Sequence, residues 1–172
     1  MPDNTKQTKI SNSYNKDLDR NPANYQPLTP LTFLERAAST FPKYTAIIHG
    51  RINHSYAEFY HRSRKLASAL SGTGIKRGDT VSVMLANTPA MLESHYGVPM
   101  CGAVLHSINT RLDPATIAYQ LEHCEAKVLI ADREYLATIQ AAIKLIKIKP
   151  LLIDHNDSEF PIKEVLLGAI DY

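Results

Sequence analysis

The stretch of this chain best equipped to hold a ligand is Ser107-Ile-Asn-Thr-Arg111. Ser107, Asn109, Thr110 and Arg111 bring hydroxyl, amide and guanidinium donors together. The competing use of such residues is to form turns and to bridge to neighbouring parts of the fold. A second stretch, Gly97-Val-Pro-Met-Cys-Gly102, has the glycine spacing of a phosphate loop. Ala103-Val104 stand where Lys followed by Ser or Thr is required, and the run precedes a strand instead of opening a helix. Gly72-Thr-Gly74 lacks the third glycine of a dinucleotide fingerprint. The seven histidines show no i, i+4 pair around a Glu, and the two cysteines show no paired spacing, so no metal site is read. His123 adjoins Cys124, but neither Cys101 nor Cys124 has a helix start or a basic neighbour that would lower its pKa. No Gly-x-Ser-x-Gly elbow occurs. Asp132 and Glu134 begin a predicted helix, where capping is their ordinary role. No catalytic, cofactor-binding or metal-binding residue is therefore expected, and the 107–111 loop stands as the single candidate ligand-facing element.

Four apolar runs frame these residues: Thr80–Leu85, Ala103–Leu105, Lys127–Ala131 and Leu151–Ile153. Their centres, Val81, Val104, Val128 and Leu152, lie 23, 24 and 24 residues apart. That step holds a strand, a turn, a helix and a turn, so it predicts parallel βαβ units and not hairpins. Asn87 or Thr88 caps the first crossover helix ahead of Pro89, with Met91, Leu92, His95 and Tyr96 on it. Asp113 caps the second ahead of Pro114, with Ile117, Leu121 and Cys124 as its apolar stripe. Asp132 caps the third, with Leu136, Ile139, Ile143 and Ile146 inward. The loop after Leu105 thus falls at a strand's carboxyl end, the functional edge of a parallel sheet.

Ahead of the sheet, Thr29-Pro30 starts a helix carrying Leu31, Leu34, Ala37, Ala38 and Phe41. Thr45–His49 and Ile52–His54 flank Gly50-Arg51 as a short hairpin. Ser55-x-x-Glu58 is a capping box. The helix it opens places Tyr56, Phe59, Tyr60, Ser63, Leu66, Ala67 and Leu70 on one face, with Glu58, Arg62, Arg64 and Lys65 mainly on a solvated one. Three crossovers and these two earlier helices predict an α/β three-layer sandwich around a mostly parallel sheet. Residues 1–24 are polar and are expected to be disordered. Residues 25–172 are expected to form the folded part.

The 172 residues are 44% hydrophobic and 21% charged, and so about one ordinary globular domain. A net charge of +2 gives no electrostatic case for nucleic acid. No run approaches the roughly 20 apolar residues of a membrane span. The start has no apolar core of a secretory signal, and the two cysteines read as reduced thiols, so the expected compartment is the cytoplasm.

Three stretches resemble the N-terminal part of the adenylate-forming superfamily, which includes the AMP-dependent (AMP-forming) acyl-CoA synthetases. They are Asn24–Ala38; His54-Ser-Tyr-Ala-Glu-Phe59 with Leu66–Leu70; and the ordered set Gly78–Val83, Asn87–Met91, Gly97–Val104 and Asn109-Thr-Arg-Leu112. The resemblance runs over about residues 21–172 in family order. It implies the first part of a large N-terminal α/β domain. It also implies a parent reaction in which ATP activates a fatty or aryl carboxylic acid to an acyl-adenylate and then to acyl-CoA, with Mg²⁺ and CoA. The family's phosphate loop, adenine and ribose motifs and adenylation lysine are not found in this sequence. The resemblance therefore implies a truncated synthetase that is inactive alone and takes no cofactor by itself. The alternative is a non-catalytic α/β module that self-associates or complements a C-terminal chain.

Overall fold

The computed structural model describes residues 29–163 and 170–172. The polar segment 1–24, residues 25–28 of the expected folded part and the apolar patch Val165–Leu167 lie outside them. Helix α1 (Pro30–Thr40) starts at Thr29, with Pro30 in the first turn where its missing N–H costs no helical bond. Strands β1 (Thr45–His49) and β2 (Ile52–Ser55) form an antiparallel hairpin. Gly50 turns it at φ +55°, a conformation that glycine adopts without strain. Ser55 and Glu58 complete the capping box of α2 (Tyr56–Gly72): each side chain accepts from the other residue's backbone N–H.

Strands β3 (Thr80–Met84), β4 (Val104–Ser107), β5 (Ala126–Asp132), β6 (Leu151–His155) and β7 (Ile170–Asp171) form one sheet in the order β4-β3-β5-β6-β7. Every pairing is parallel. The predicted parallel strands are therefore present, and β7 adds a fifth that the sequence reading did not anticipate.

The strand order explains the layers. From β3 the chain moves to β4 on one side, then returns past β3 to β5 and continues to β6. With right-handed crossovers, that reversal puts α3 (Pro89–Met100) on one face and α4 (Pro114–His123) and α5 (Leu136–Leu145) on the other. The two halves of the core follow. On one side Leu66, Leu70, Ala90 and Val98 pack on Val81, Val83, Val128 and Ile130; on the other Ile117, Leu121, Leu136 and Ile139 pack on Met84, Leu129 and Ala131. The fold is the expected three-layer α/β sandwich.

Two helices bury or pair residues that periodicity did not mark. In α3 the buried residues are Pro89, Ala90, Glu93, Ser94, Gly97 and Val98, whereas Leu92 and His95 are exposed. Helix α3 is covered by the sheet on one side and by α2 on another, so no single apolar stripe marks its inner face. In α2, Arg62 does not simply face water; it reaches the buried Glu93 of α3.

Candidate functional site

A parallel sheet offers ligands the crevice outside its carboxyl ends, at the point where the strand order reverses. Here that point lies between β3 and β5, and a cleft of about 640 Å³ opens beside it. Its walls come from the start of α3 (Pro89, Ala90), from Arg133 after β5, from His155 to Ser158 at the end of β6, and from Asp171 and Tyr172. Arg62 of α2 and His54 of β2 close the side facing the hairpin. A smaller, mainly apolar pocket of about 240 Å³ lies between α2 and strands β6 and β7.

Each charged group of the cleft has a partner from a different element. Arg62 donates to both oxygens of Glu93, through Nε to Oε1 and through Nη2 to Oε2 at 3.2 Å. The Tyr172 hydroxyl donates to Glu93 Oε2 at 2.8 Å. Glu93 is only 1% exposed, so these bonds carry the whole burden of keeping a carboxylate inside the fold. Burial, followed by the charge and hydrogen bond of Glu93, pushes the Tyr172 phenol far above its ordinary range, and it stays a donor. Its hydrogen bond to Glu93 raises the Arg62 guanidinium further, against the opposing effect of burial.

At the strand ends, Arg133 Nε donates to Asp154 Oδ2 at 2.6 Å, and Nη1 donates to the Ile162 carbonyl at 3.3 Å. Asp154 Oδ1 is buried without a hydrogen-bond partner among the described residues. Asp132 bonds His155 Nδ1 at 3.0 Å and also accepts from the Glu134 amide at 3.0 Å. Burial pushes the Asp132 carboxyl up. The His155 bond, the Glu134 amide and the neighbouring charges of His155 and Arg133 outweigh it and hold the group below the usual carboxylate range. Asp132 therefore does cap, but it caps the short 3₁₀ turn Arg133–Tyr135 and not the helix α5 that follows, whose N-cap position is Tyr135; it also binds a ring on the next strand. Farther out, His49 Nε2 meets Asp157 Oδ2 at 2.7 Å, and the Arg51 amide donates to Glu159 at 3.0 Å, which ties the hairpin to the segment after β6.

The arrangement is a set of internally neutralised ion pairs that lock α2, α3, β5, β6 and β7 together. Its cations are already committed to carboxylates. Among the described residues no group of three or more His, Cys, Asp or Glu side chains gathers to hold a metal ion, and no helix is long and apolar enough to cross a membrane.

The sequence-predicted loop lies elsewhere on the same edge, after the outermost strand β4. Ser107, Asn109 and Arg111 are exposed and Thr110 is half-buried. Asn109 Oδ1 accepts from the Arg111 amide at 3.0 Å, and the Asn109 carbonyl accepts from the Leu112 amide at 3.2 Å, which makes the segment a turn. None of the four lines the cleft. The cleft residues in turn escaped the sequence reading, because Arg62 and Glu93 lie 31 positions apart and His49 and Asp157 108 apart. The available signal was a glutamate amid the otherwise apolar and neutral residues of α3.

Residues 34–165 match the family described as AMP-binding enzyme. The chain is 41% identical over 167 residues to the acetate/butyrate–CoA ligase AAE7, peroxisomal, of Arabidopsis thaliana, covering 91% of this chain and 29% of that protein. It is 40% identical over 170 residues to the acetate–CoA ligase CCL3 of Humulus lupulus, with the same coverages of 91% and 29%. It is 43% identical over 145 residues to a peroxisomal trans-cinnamate:CoA ligase of Petunia hybrida, covering 84% and 25%. Among solved structures, a benzoate CoA ligase from Burkholderia xenovorans LB400 superposes with a TM-score of 0.69 at 26% identity, covering 77% of this chain and 26% of that one. The chain thus spans less than a third of the length of these relatives.

Proposed function

The chain belongs to the AMP-binding enzyme family, and from that membership we propose that it is the first part of the large N-terminal domain of an AMP-forming acyl-CoA synthetase. The parent reaction joins a fatty or aryl carboxylic acid to CoA through an acyl-adenylate, with release of pyrophosphate and AMP. The observation that carries this reading is 41% identity over 167 residues to an acyl-CoA ligase of which the chain spans 29%.

The ATP and Mg²⁺ that this chemistry requires do not fit the described residues. A carboxylate attacking an α-phosphate needs uncommitted cations and a backbone nest around the spreading charge. Arg62 and Arg133 are already paired with buried carboxylates. We therefore assign no step of the reaction to this chain and expect it to be inert alone. The cleft ion pairs are read as the scaffold that positions whatever the rest of the enzyme contributes. In this reading Ser107, Asn109, Thr110 and Arg111 offer their donors to that remainder. The two free thiols suit a reducing compartment such as the cytoplasm.

The purified chain is expected to show no carboxylate-dependent exchange of pyrophosphate into ATP with acetate, butyrate, benzoate or trans-cinnamate. Exchange by a preparation free of full-length synthetase refutes its inertness. A chimera in which this chain replaces the matching segment of the acetate/butyrate relative is expected to retain exchange, and a folded but inactive chimera refutes the assignment. A second reading is a non-catalytic module that self-associates or complements a C-terminal chain. It draws on the sheet edges, where Val104 of β4 is 52% exposed and Ile170 of β7 is 48% exposed. A strictly monomeric chain in sedimentation would remove the self-association arm.

A further inference from the structure

On the face of the sheet covered by α4, three reactive side chains converge. Ser82 of β3 and His106 of β4 are cross-strand partners, and Ser82 Oγ lies 2.9 Å from His106 Nδ1. Cys124, the residue that ends α4, places its Sγ 3.4 Å from the same nitrogen and 3.7 Å from Ser82 Oγ. Along the chain the one base adjoining either cysteine is His123, whose ring stacks on Tyr119 instead of turning to Cys124. The parallel pairing of β3 with β4 and the return of α4 across them supply one from 18 residues away. None of the three lines the cleft at the carboxyl ends.

We propose that Cys124 is a base-assisted nucleophilic thiol and a site of mixed-disulfide formation with small-molecule disulfides. His106 is its base and Ser82 the residue that orients the ring. The thiol is a poor nucleophile until its proton leaves. Burial pushes the His106 imidazole below the ordinary histidine range, and no charged side chain contributes to that shift, so the ring is neutral near pH 7. With its proton on Nε2, Nδ1 accepts from the Ser82 hydroxyl at rest, and it takes the Cys124 proton once that hydroxyl turns away. In the step itself the Cys124 sulfur attacks one sulfur of the disulfide. A new S–S bond forms as the old one breaks, and the departing thiolate keeps that bond's electron pair. It then takes up the proton that His106 received from Cys124. Cys124 is oxidised, the disulfide is reduced, and a second thiol reverses the exchange.

Cys101 is the internal control. It is also half-buried, but its Sγ donates to the Val98 carbonyl at 3.1 Å, and among the described residues no imidazole is a hydrogen-bond partner of it.

The test uses the full chain with dithiodipyridine as probe, the released pyridinethione as the rate readout and peptide mass as the site readout. Cys124 is expected to react about tenfold or more faster than Cys101 near pH 7, and reductant should restore it. From roughly pH 6 to 8 an unassisted thiol gains about tenfold in rate per unit, and Cys124 is expected to climb less steeply. His106→Asn should lower the rate about tenfold and return the unassisted slope, whereas Cys101→Ser should leave the Cys124 rate unchanged. Equal rates at the two cysteines, or an unassisted slope in the unsubstituted chain, overturn the proposal even if His106→Asn fails to fold. A folded His106→Asn variant with an unchanged rate does so too.

Discussion

Helices α2 and α3 pack closely at Gly97, and replacing it should set two known effects against each other. A Cβ at this position would lie 2.8 Å from Leu66 Cδ2, 2.9 Å from the Ser63 carbonyl oxygen and 3.0 Å from Leu66 Cβ. The Leu66 methyl can rotate away. The Ser63 carbonyl belongs to the α2 backbone and cannot, so the helices must part by several tenths of an ångström. Overpacking of this kind costs about 1–3 kcal/mol. Against it, Ala is better than Gly inside a helix by about 0.5–1 kcal/mol. Gly97→Ala should therefore destabilise by about 1 kcal/mol, lowering Tm by about 2–4 °C for a chain of this size. Gly97→Val, larger and a weaker helix former, should cost about 3 kcal/mol. Gly72, the last residue of α2, supplies the contrast, since a Cβ there meets nothing within 4 Å. Gly72→Ala should be neutral or stabilising by up to about 1 kcal/mol. Thermal and urea melts of the four proteins decide the matter. If Gly97→Ala raises Tm as Gly72→Ala does, the close approach of α2 and α3 is wrong.

Other expectations concern the ion pairs. Arg62→Ala leaves the buried Glu93, among the described residues, with only the Tyr172 hydroxyl and should cost about 3–5 kcal/mol in urea unfolding. Glu93→Gln should cost less, about 1–3 kcal/mol, because the Arg62 side chain is 42% exposed and can turn to water. Equal losses from the two variants would contradict that asymmetry. Asp132 has a folded pKa below its unfolded 3.8, so its contribution is complete above that value and disappears as pH falls through the lower folded one. Asp132→Asn should therefore be less stable than the parent at pH 7 and converge with it in acid. A gap that persists unchanged below pH 3 would show that the carboxylate's charge is not what matters.

What could be read from the sequence was what short-range physics controls. The Ser55–Glu58 box and the Asp113 cap satisfy amide groups two or three residues away, so residue identity alone located the starts of α2 and α4. The 23–24 residue step revealed parallel strands because a strand, a crossover helix and the two turns between them need about that many residues. The motif order revealed the family. Tertiary structure decided what depends on which strand lies beside which. The reversal at β3 sends α3 and α4 to opposite faces and opens the cleft beside β5. It also brings His106 to Cys124, and the packing of α3 on α2 brings Arg62 to Glu93. The sequence pattern singled out Met91, Leu92, His95 and Tyr96 on α3 without fixing its inner face, and it is Glu93 and Gly97 that are buried there. A carboxylate can lie inside a fold only if a distant cation reaches it, and a glycine is required only where another helix presses against it. Neither condition can be computed from neighbours along the chain, because each is set by partners that the fold alone brings within a few ångströms.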